Sequence, residues 1–285
     1  MVRLRASAGA VVLALNLAAC GGTDPQPRRP APPLAAEIVQ LRRDQVLERV
    51  EVALQNTGRE RVVVERLRVR VRGYDSGRAI PKDSPIPPDQ VVNLPWPYGT
   101  VRCPVDTPPV VGRAVVTLHV HTDSDLTSRR VRIVAKDPGG LLAAIARRTC
   151  TVAQVAREVS LRFADAWRVE RQGDDVTIHG TLETRLLVDE PRTITQVAGA
   201  IMYGLRPDES AGPVQDPLAT LTPSAPEASI PVRAFAARCD GHTIGEIKKP
   251  YEFLVWVGAP GGTPVAVTPQ VDVPTKDALR EVCAF

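Results

Sequence analysis

Lysine is scarce in this chain: 31 of its 36 basic residues are arginine. Such a bias points to a GC-rich genome. Histidine occurs only four times, and Phe, Trp and Tyr together make up 4% of the residues. No apolar run reaches the roughly 20 residues that a helix needs to cross a bilayer. No C-x-x-C spacing occurs, which removes the usual thiolate pair of a zinc site. G-x-S-x-G, S-x-x-K, H-E-x-x-H, the P-loop and G-x-G-x-x-G are all missing, so the common hydrolase and nucleotide-binding signatures are excluded. A serine–histidine pair could arise only from residues far apart in sequence. The expectation is a protein with no cofactor and no assigned catalytic residue.

What remains is a foldable chain of 285 residues, 44% hydrophobic and 24% charged. That length suits one large domain or two of ordinary size. Valine, threonine, proline and arginine are plentiful and long helical patterns are few, which favours β-sandwiches.

The first nineteen residues read as an export signal. Arg3 and Arg5 form a positive start, and residues 8–19 are apolar apart from Gly9 and Asn16. The segment ends in Leu17-Ala18-Ala19-Cys20, which resembles the lipobox of bacterial lipoproteins. The resemblance covers about the first 22 residues. It implies lipidation at Cys20, cleavage just before it and a membrane anchor of two or three acyl chains, each buried CH₂ contributing about 0.8 kcal/mol. It also accounts for the odd number of cysteines, five. Residues 20–36 are rich in Gly and then Pro and read as a tether. The chain as a whole resembles cell-envelope lipoproteins of high-GC Gram-positive bacteria.

The other cysteines, Cys103, Cys150, Cys239 and Cys283, come as two pairs with separations of 47 and 44 residues. A strand-like run leads into Arg-Cys at Cys103 and again at Cys239. A strand followed by a short helical pattern leads to Cys150 and to Cys283. Asp137 with Pro138 can start the first helix, and Thr275 or Asp277 the second. Upstream, alternating runs around Asn56-Thr57-Gly58 have a loose counterpart after Asp175. The chain therefore reads as two copies of one plan: tandem immunoglobulin-like antiparallel β-sandwiches of six or seven strands, each ending in a short helix. The expected limits are 37–150 and 151–285, or a helix that continues through residues 151–158. Pairing of Cys103 with Cys150 and of Cys239 with Cys283 follows from the repeat. In an oxidising compartment each bridge contributes roughly 4 kcal/mol.

Four features could carry chemistry. His119 and His121 stand two apart on a strand, with Asp123 and Asp125 following; they are the weak metal candidates and lack a third ligand. Cys239-Asp240-Gly241-His242, with Glu246, reads as a turn beside a disulfide. Trp96 and Trp256 read as core residues, although an exposed Trp96 would serve as a binding anchor. Arg66, Arg68, Arg70 and Arg72 alternate with Leu67, Val69 and Val71. That strand is either a charged edge kept soluble or a surface for an anionic partner such as lipid headgroups, cell-wall phosphates or an acidic protein. Residues 20–150 carry a net charge of +7 and residues 151–285 a net of −5. The basic half is the one nearest the membrane, where anionic lipid attracts each Arg or Lys by about 1 kcal/mol. Nucleic acid is not an expected partner. The function expected is a non-catalytic binding or scaffolding module, lipid-anchored at the outer face of the cytoplasmic membrane. The alternative is a metal or small-ligand lipoprotein for uptake or delivery, and a third reading is a hydrolase without recognisable motifs.

Overall fold

Period-two alternation puts Val62, Val64, Leu67, Val69 and Val71 on one side of a single segment, each at most 3% exposed. The parity changes between Val64 and Leu67 because a β-bulge at Glu65 adds one residue there. The bulge turns Arg66, Arg68 and Arg70 to the opposite face, away from the core. In this computed structural model, which describes residues 32–283 apart from 76, 106 and 174, the same logic builds two stacked-sheet assemblies in succession.

The first contains β1 (Leu34–Val39), a short helix α1 (Arg42–Val46), β2 (Arg49–Asn56), β3 (Val62–Arg70), β4 (Ile80–Ile86), β5 (Val91–Pro97), β6 (Val115–Thr122) and β7 (Asp125–Val134). One sheet has the order β1-β2-β5 and the other β4-β3-β6-β7, all antiparallel. Helix α2 (Leu141–Glu158) follows. The second assembly contains β8 (Val159–Phe163), β9 (Arg168–Gln172), β10 (Asp175–Leu186), β11 (Arg192–Ala198), β12 (Tyr203–Pro207), β13 (Ala219–Leu221), β14 (Glu227–Ala236), helix α3 (Gly241–Glu246), β15 (Leu254–Gly258), β16 (Val265–Val267) and helix α4 (Val273–Cys283). Its sheets run β12-β14-β10-β8, with β9 added to β10, and β13-β11-β15-β16.

The two orders superimpose strand for strand. β8, β10 and β14 take the places of β1, β2 and β5, while β13, β11, β15 and β16 take those of β4, β3, β6 and β7. Even irregular features recur. The bulge in β3 has a counterpart at Thr195 in β11. The parallel bridge from Glu37 to Lys136 has one in Arg162 to Gln270. The second copy adds β9 and β12, so among the described residues it has nine strands against seven. Both copies are immunoglobulin-like sandwiches in the sense that two antiparallel sheets enclose alternating inward side chains.

The cysteines close each copy in the same way: Cys103 is bonded to Cys150 and Cys239 to Cys283, with Cα–Cα distances of 5.2 and 5.4 Å. These lie within the usual disulfide range. The folded chain is thus built for an oxidising, exported compartment. No helix among the described residues is long and apolar enough to cross a membrane.

The structure decides between the two limits expected for the first helix and alters other details of the sequence reading. Helix α2 does not stop at Cys150. It runs on to Glu158, its first turns packing Leu142 and Ala146 into the first core and its last turns packing Val152 and Val155 into the second. Asp137 does not sit at the helix boundary, where Gly140 stands at φ 60°. Its carboxylate nevertheless accepts from the amides of Leu141 and Leu142, at 2.7 and 3.1 Å. The matching role before α4 falls to Asp272, which accepts from Thr275 at 2.9 Å, rather than to Thr275 or Asp277. The fold also begins earlier than residue 37, because Ala35 and Ala36 already pair with Gln55 and Leu54. The signal, Cys20 and most of the tether lie outside the described residues.

Candidate functional site

The bulge in β3 sets up a cluster of like charge on one sheet face. Arg66, Arg68 and Arg70 project from the outer face of β3, which is an interior strand of its sheet and not an edge. Across β6 their partners are His119, Thr117 and Val115. Beyond β6, on the edge strand β7, His119 is paired with Arg130 and Thr117 with Arg132. The result is two cross-strand rows, Arg66–His119–Arg130 and Arg68–Thr117–Arg132, with Arg70 opening a third. Arg68, Arg70, Val115, Thr117, His119, Arg130 and Arg132 surround a depression of about 310 Å³, with Ala79 at its margin.

No carboxylate stands within 4 Å of these five guanidiniums among the described residues. The Nε of Arg68 is buried with no hydrogen-bond acceptor. Alternate residues on a strand are about 7 Å apart. Unit charges at that distance repel by roughly 0.6 kcal/mol in water and about 2.4 kcal/mol at an effective dielectric constant of 20. Such crowding works against the fold, and a countercharge would relieve it.

The second copy shows that the fold itself does not require this charge. Aligning the bulges places Gln196, Trp256 and Ala266 where the first copy has Arg66, His119 and Arg130, and Ala198 and Leu254 where it has Arg68 and Thr117. Trp256 is consequently half-buried on the outer face and is not a core residue; Val255 and Val257 point inward instead. Trp96 is 1% exposed and is no surface anchor.

Arg72 stands apart from its three sequence neighbours. β3 ends at Arg70, and the backbone of Arg72 is engaged by Gly112 at 3.1 Å. Arg130 and Arg132 were missed in the sequence reading, although the signal was present: Arg130 and Arg132 alternate with Val131 and Ile133 just as the β3 arginines alternate with their apolar neighbours.

The histidines serve different ends. His121 Nδ1 lies 2.8 Å from Glu65 Oε1, and the Ser128 hydroxyl donates to Glu65 Oε2 at 2.6 Å. The Ser128 and His121 contacts hold the Glu65 carboxyl below the usual range, against its partial burial. His119 stands instead between two arginines, an environment unsuited to a metal cation. No group of three His, Cys, Asp or Glu side chains converges on a metal position among the described residues. His242 is exposed and lies 3.4 Å from Glu246; Asp240 caps α3 by accepting from the Thr243 amide at 2.9 Å. His179 is enclosed: Nδ1 is 2.6 Å from Asp208 and Nε2 is 3.1 Å from Glu170. Burial opposes the charge on Asp208, but Ser210 and His179 outweigh it and keep that carboxyl low. The Ser210 hydroxyl donates to Asp208 at 2.6 Å and is not presented to the imidazole. That order differs from the nucleophile–imidazole–carboxylate order of a hydrolase.

No family model matches this chain, and no curated protein does. Among solved structures, the YadV chaperone aligns over 82% of this chain and 96% of its own at 11% identity, with a TM-score of 0.20. A protein of unknown function from Porphyromonas gingivalis W83 aligns over 78% and 90% at 13% identity and a TM-score of 0.22. The B domain of a biofilm associated protein aligns over 82% and 83% at 7% identity and a TM-score of 0.20. Scores this low carry no inference; the fold assignment rests on the sheets described above.

Proposed function

We propose that this chain is a lipid-anchored protein of the outer face of the membrane, acting as a non-catalytic module that binds an anionic, phosphate-rich surface. The observation that carries this reading is the array of Arg66, Arg68, Arg70, Arg130 and Arg132, which has no carboxylate partner among the described residues and which the second copy of the fold lacks. Cys20 supplies the anchor, and the net +7 of residues 20–150 favours any anionic surface nearby.

Two measurements test this. Mass spectrometry of the mature amino terminus is expected to find an acylated Cys20; an unmodified residue 20 removes the anchor. For the surface, the full chain reconstituted in phosphatidylcholine nanodiscs is expected to capture vesicles one-third phosphatidylglycerol and to ignore vesicles of phosphatidylcholine alone. Capture is expected to weaken with salt. The triple substitution R66Q/R68Q/R70Q is expected to weaken it about a hundredfold, at roughly 1 kcal/mol per arginine. Equal capture of both vesicle types, or no effect of the triple substitution, refutes the binding reading.

A further inference from the structure

We infer that the depression among β3, β6 and β7 is a specific phosphoryl-binding site, with Arg68 and Arg132 on opposite walls and Thr117 and His119 on the floor. The inference rests on the anionic-surface reading of the same face and narrows it to one chemical group.

The first argument is the balance of donors and acceptors. Arg68, Arg70, Arg130 and Arg132 present only N–H donors. Thr117 adds a hydroxyl and His119 a ring nitrogen. Among the described residues, no hydrogen bond or ion pair engages any of these six side chains. Arg68 Nε is closed off from solvent and has no acceptor, so a guest meets Arg68 at its terminal nitrogens, beside the depression that Arg68 lines. A guest suited to these groups is rich in acceptor oxygens and free of donors aimed at the arginines.

The second argument is shape. The register places Arg68 and Arg132 on either side of Thr117, about 10 Å apart across three strands. Donors therefore converge from two opposing walls and from below. A planar carboxylate presents its two oxygens in one plane and can serve one guanidinium fork well. A tetrahedral phosphoryl group presents oxygens in three directions and can be gripped from both walls and the floor at once. The volume, about 310 Å³, lies at the small end of the roughly 300–1,000 Å³ typical of ligand pockets. That suits one phosphoryl group with a short part of its attached chain. The third argument is the control within the molecule: Ala198, Leu254, Trp256 and Ala266 occupy the matching positions in the second copy, so nothing in the shared topology demands these donors.

Free phosphate, a phosphodiester polymer and a lipid headgroup all offer the group recognised. The experiment uses the full chain in phosphatidylcholine nanodiscs, titrated calorimetrically with inorganic pyrophosphate. Saturable binding at one site per chain is expected. R68K keeps the charge but loses the guanidinium fork; it is expected to weaken pyrophosphate binding about tenfold or more while leaving capture of phosphatidylglycerol vesicles nearly unchanged. R66Q, outside the depression, is expected to do the reverse. R132Q on the edge strand is the second variant, chosen because it disturbs no interior strand, and is also expected to weaken pyrophosphate binding. Competition then identifies the source: displacement by glycerol phosphate polymer marks a wall component, and displacement by phosphatidylglycerol vesicles marks the membrane. Absence of saturable binding, or R68K and R132Q titrations that match the parent, overturns the site. Vesicle capture that survives that result leaves the broader surface reading standing, and its loss alone does not touch the site.

Discussion

At the residue scale, a few buried polar contacts do more than their number suggests. Tyr74 is 3% exposed, and its hydroxyl donates to the carbonyl of Leu142 at 2.5 Å. It ties the turn after β3 to the first turn of α2. Tyr74→Phe removes this second donor from a carbonyl that also serves the helix and is expected to cost about 1 kcal/mol in denaturant unfolding. Burial, with some help from Tyr98, pushes the Tyr74 phenol up to about 12. An unfolded tyrosine ionises near pH 10. The folded state thus holds its proton longer, so this contribution is intact below about pH 10 and is lost as pH rises towards 12. Tyr74→Phe is expected to flatten part of the alkaline limb of a stability–pH profile; an unchanged limb refutes the assignment. Asn56, fully buried, has the same kind of leverage. Its amide donates to the carbonyls of Glu60 and Ile86 and its oxygen accepts from Gly58, which fixes the crossing from one sheet to the other.

At the element scale, α2 is the piece whose role the sequence left open. It begins on the first core and ends on the second. At its last residue Glu158 accepts from Arg192 of β11 at 2.8 Å, both side chains no more than 15% exposed. Arg192, and secondarily Gln154, hold the Glu158 carboxyl below its ordinary value despite burial. A carboxyl depressed in this way stabilises the fold above its unfolded pKa, near 4.3, and the gain is lost as pH falls through the lower folded value. Glu158→Gln is expected to cost roughly 1.5–3 kcal/mol at neutral pH. The parent and variant should converge in acid, because protonated glutamate and glutamine then resemble each other. A difference that persists unchanged below about pH 3 contradicts this role. Strand β3 illustrates the other element-scale lesson. One inserted residue at Glu65 decides whether its arginines face solvent or core, and a slip of one position would bury three guanidiniums.

At the scale of the whole molecule, two copies of one topology have diverged in charge. The first keeps a cationic outer sheet; the second carries Gln196, Trp256 and Ala266 in the corresponding places. Each copy is closed by one disulfide between the segment after its fifth main strand, β5 or β14, and its last helix. The enclosed loops of 47 and 44 residues imply a contribution of roughly 4 kcal/mol per bridge. Reduction is accordingly expected to lower the thermal midpoint by more than about 10 °C per bridge. Scanning calorimetry with and without reductant, together with the C103S/C150S variant, checks this. A midpoint that does not move shows that the bridges are not structural.

The amino-acid sequence by itself determined the local periods, the cysteine pairing and the repeat. These depend on residue types at short spacing, or on two segments that resemble each other. Alternation around Leu67, Val69 and Val71 was enough to place the β3 arginines on one face. Tertiary structure alone decided that β3 is an interior strand, that Arg130 and Arg132 of β7 complete the array, and that Arg72 and His121 stand outside it. The reason is that strand order and register join residues 60 or more positions apart, and no local pattern records which strand lies beside which. The continuity of α2 was undecided for the same reason: its last turns stay helical because Val152 and Val155 find a second core to enter.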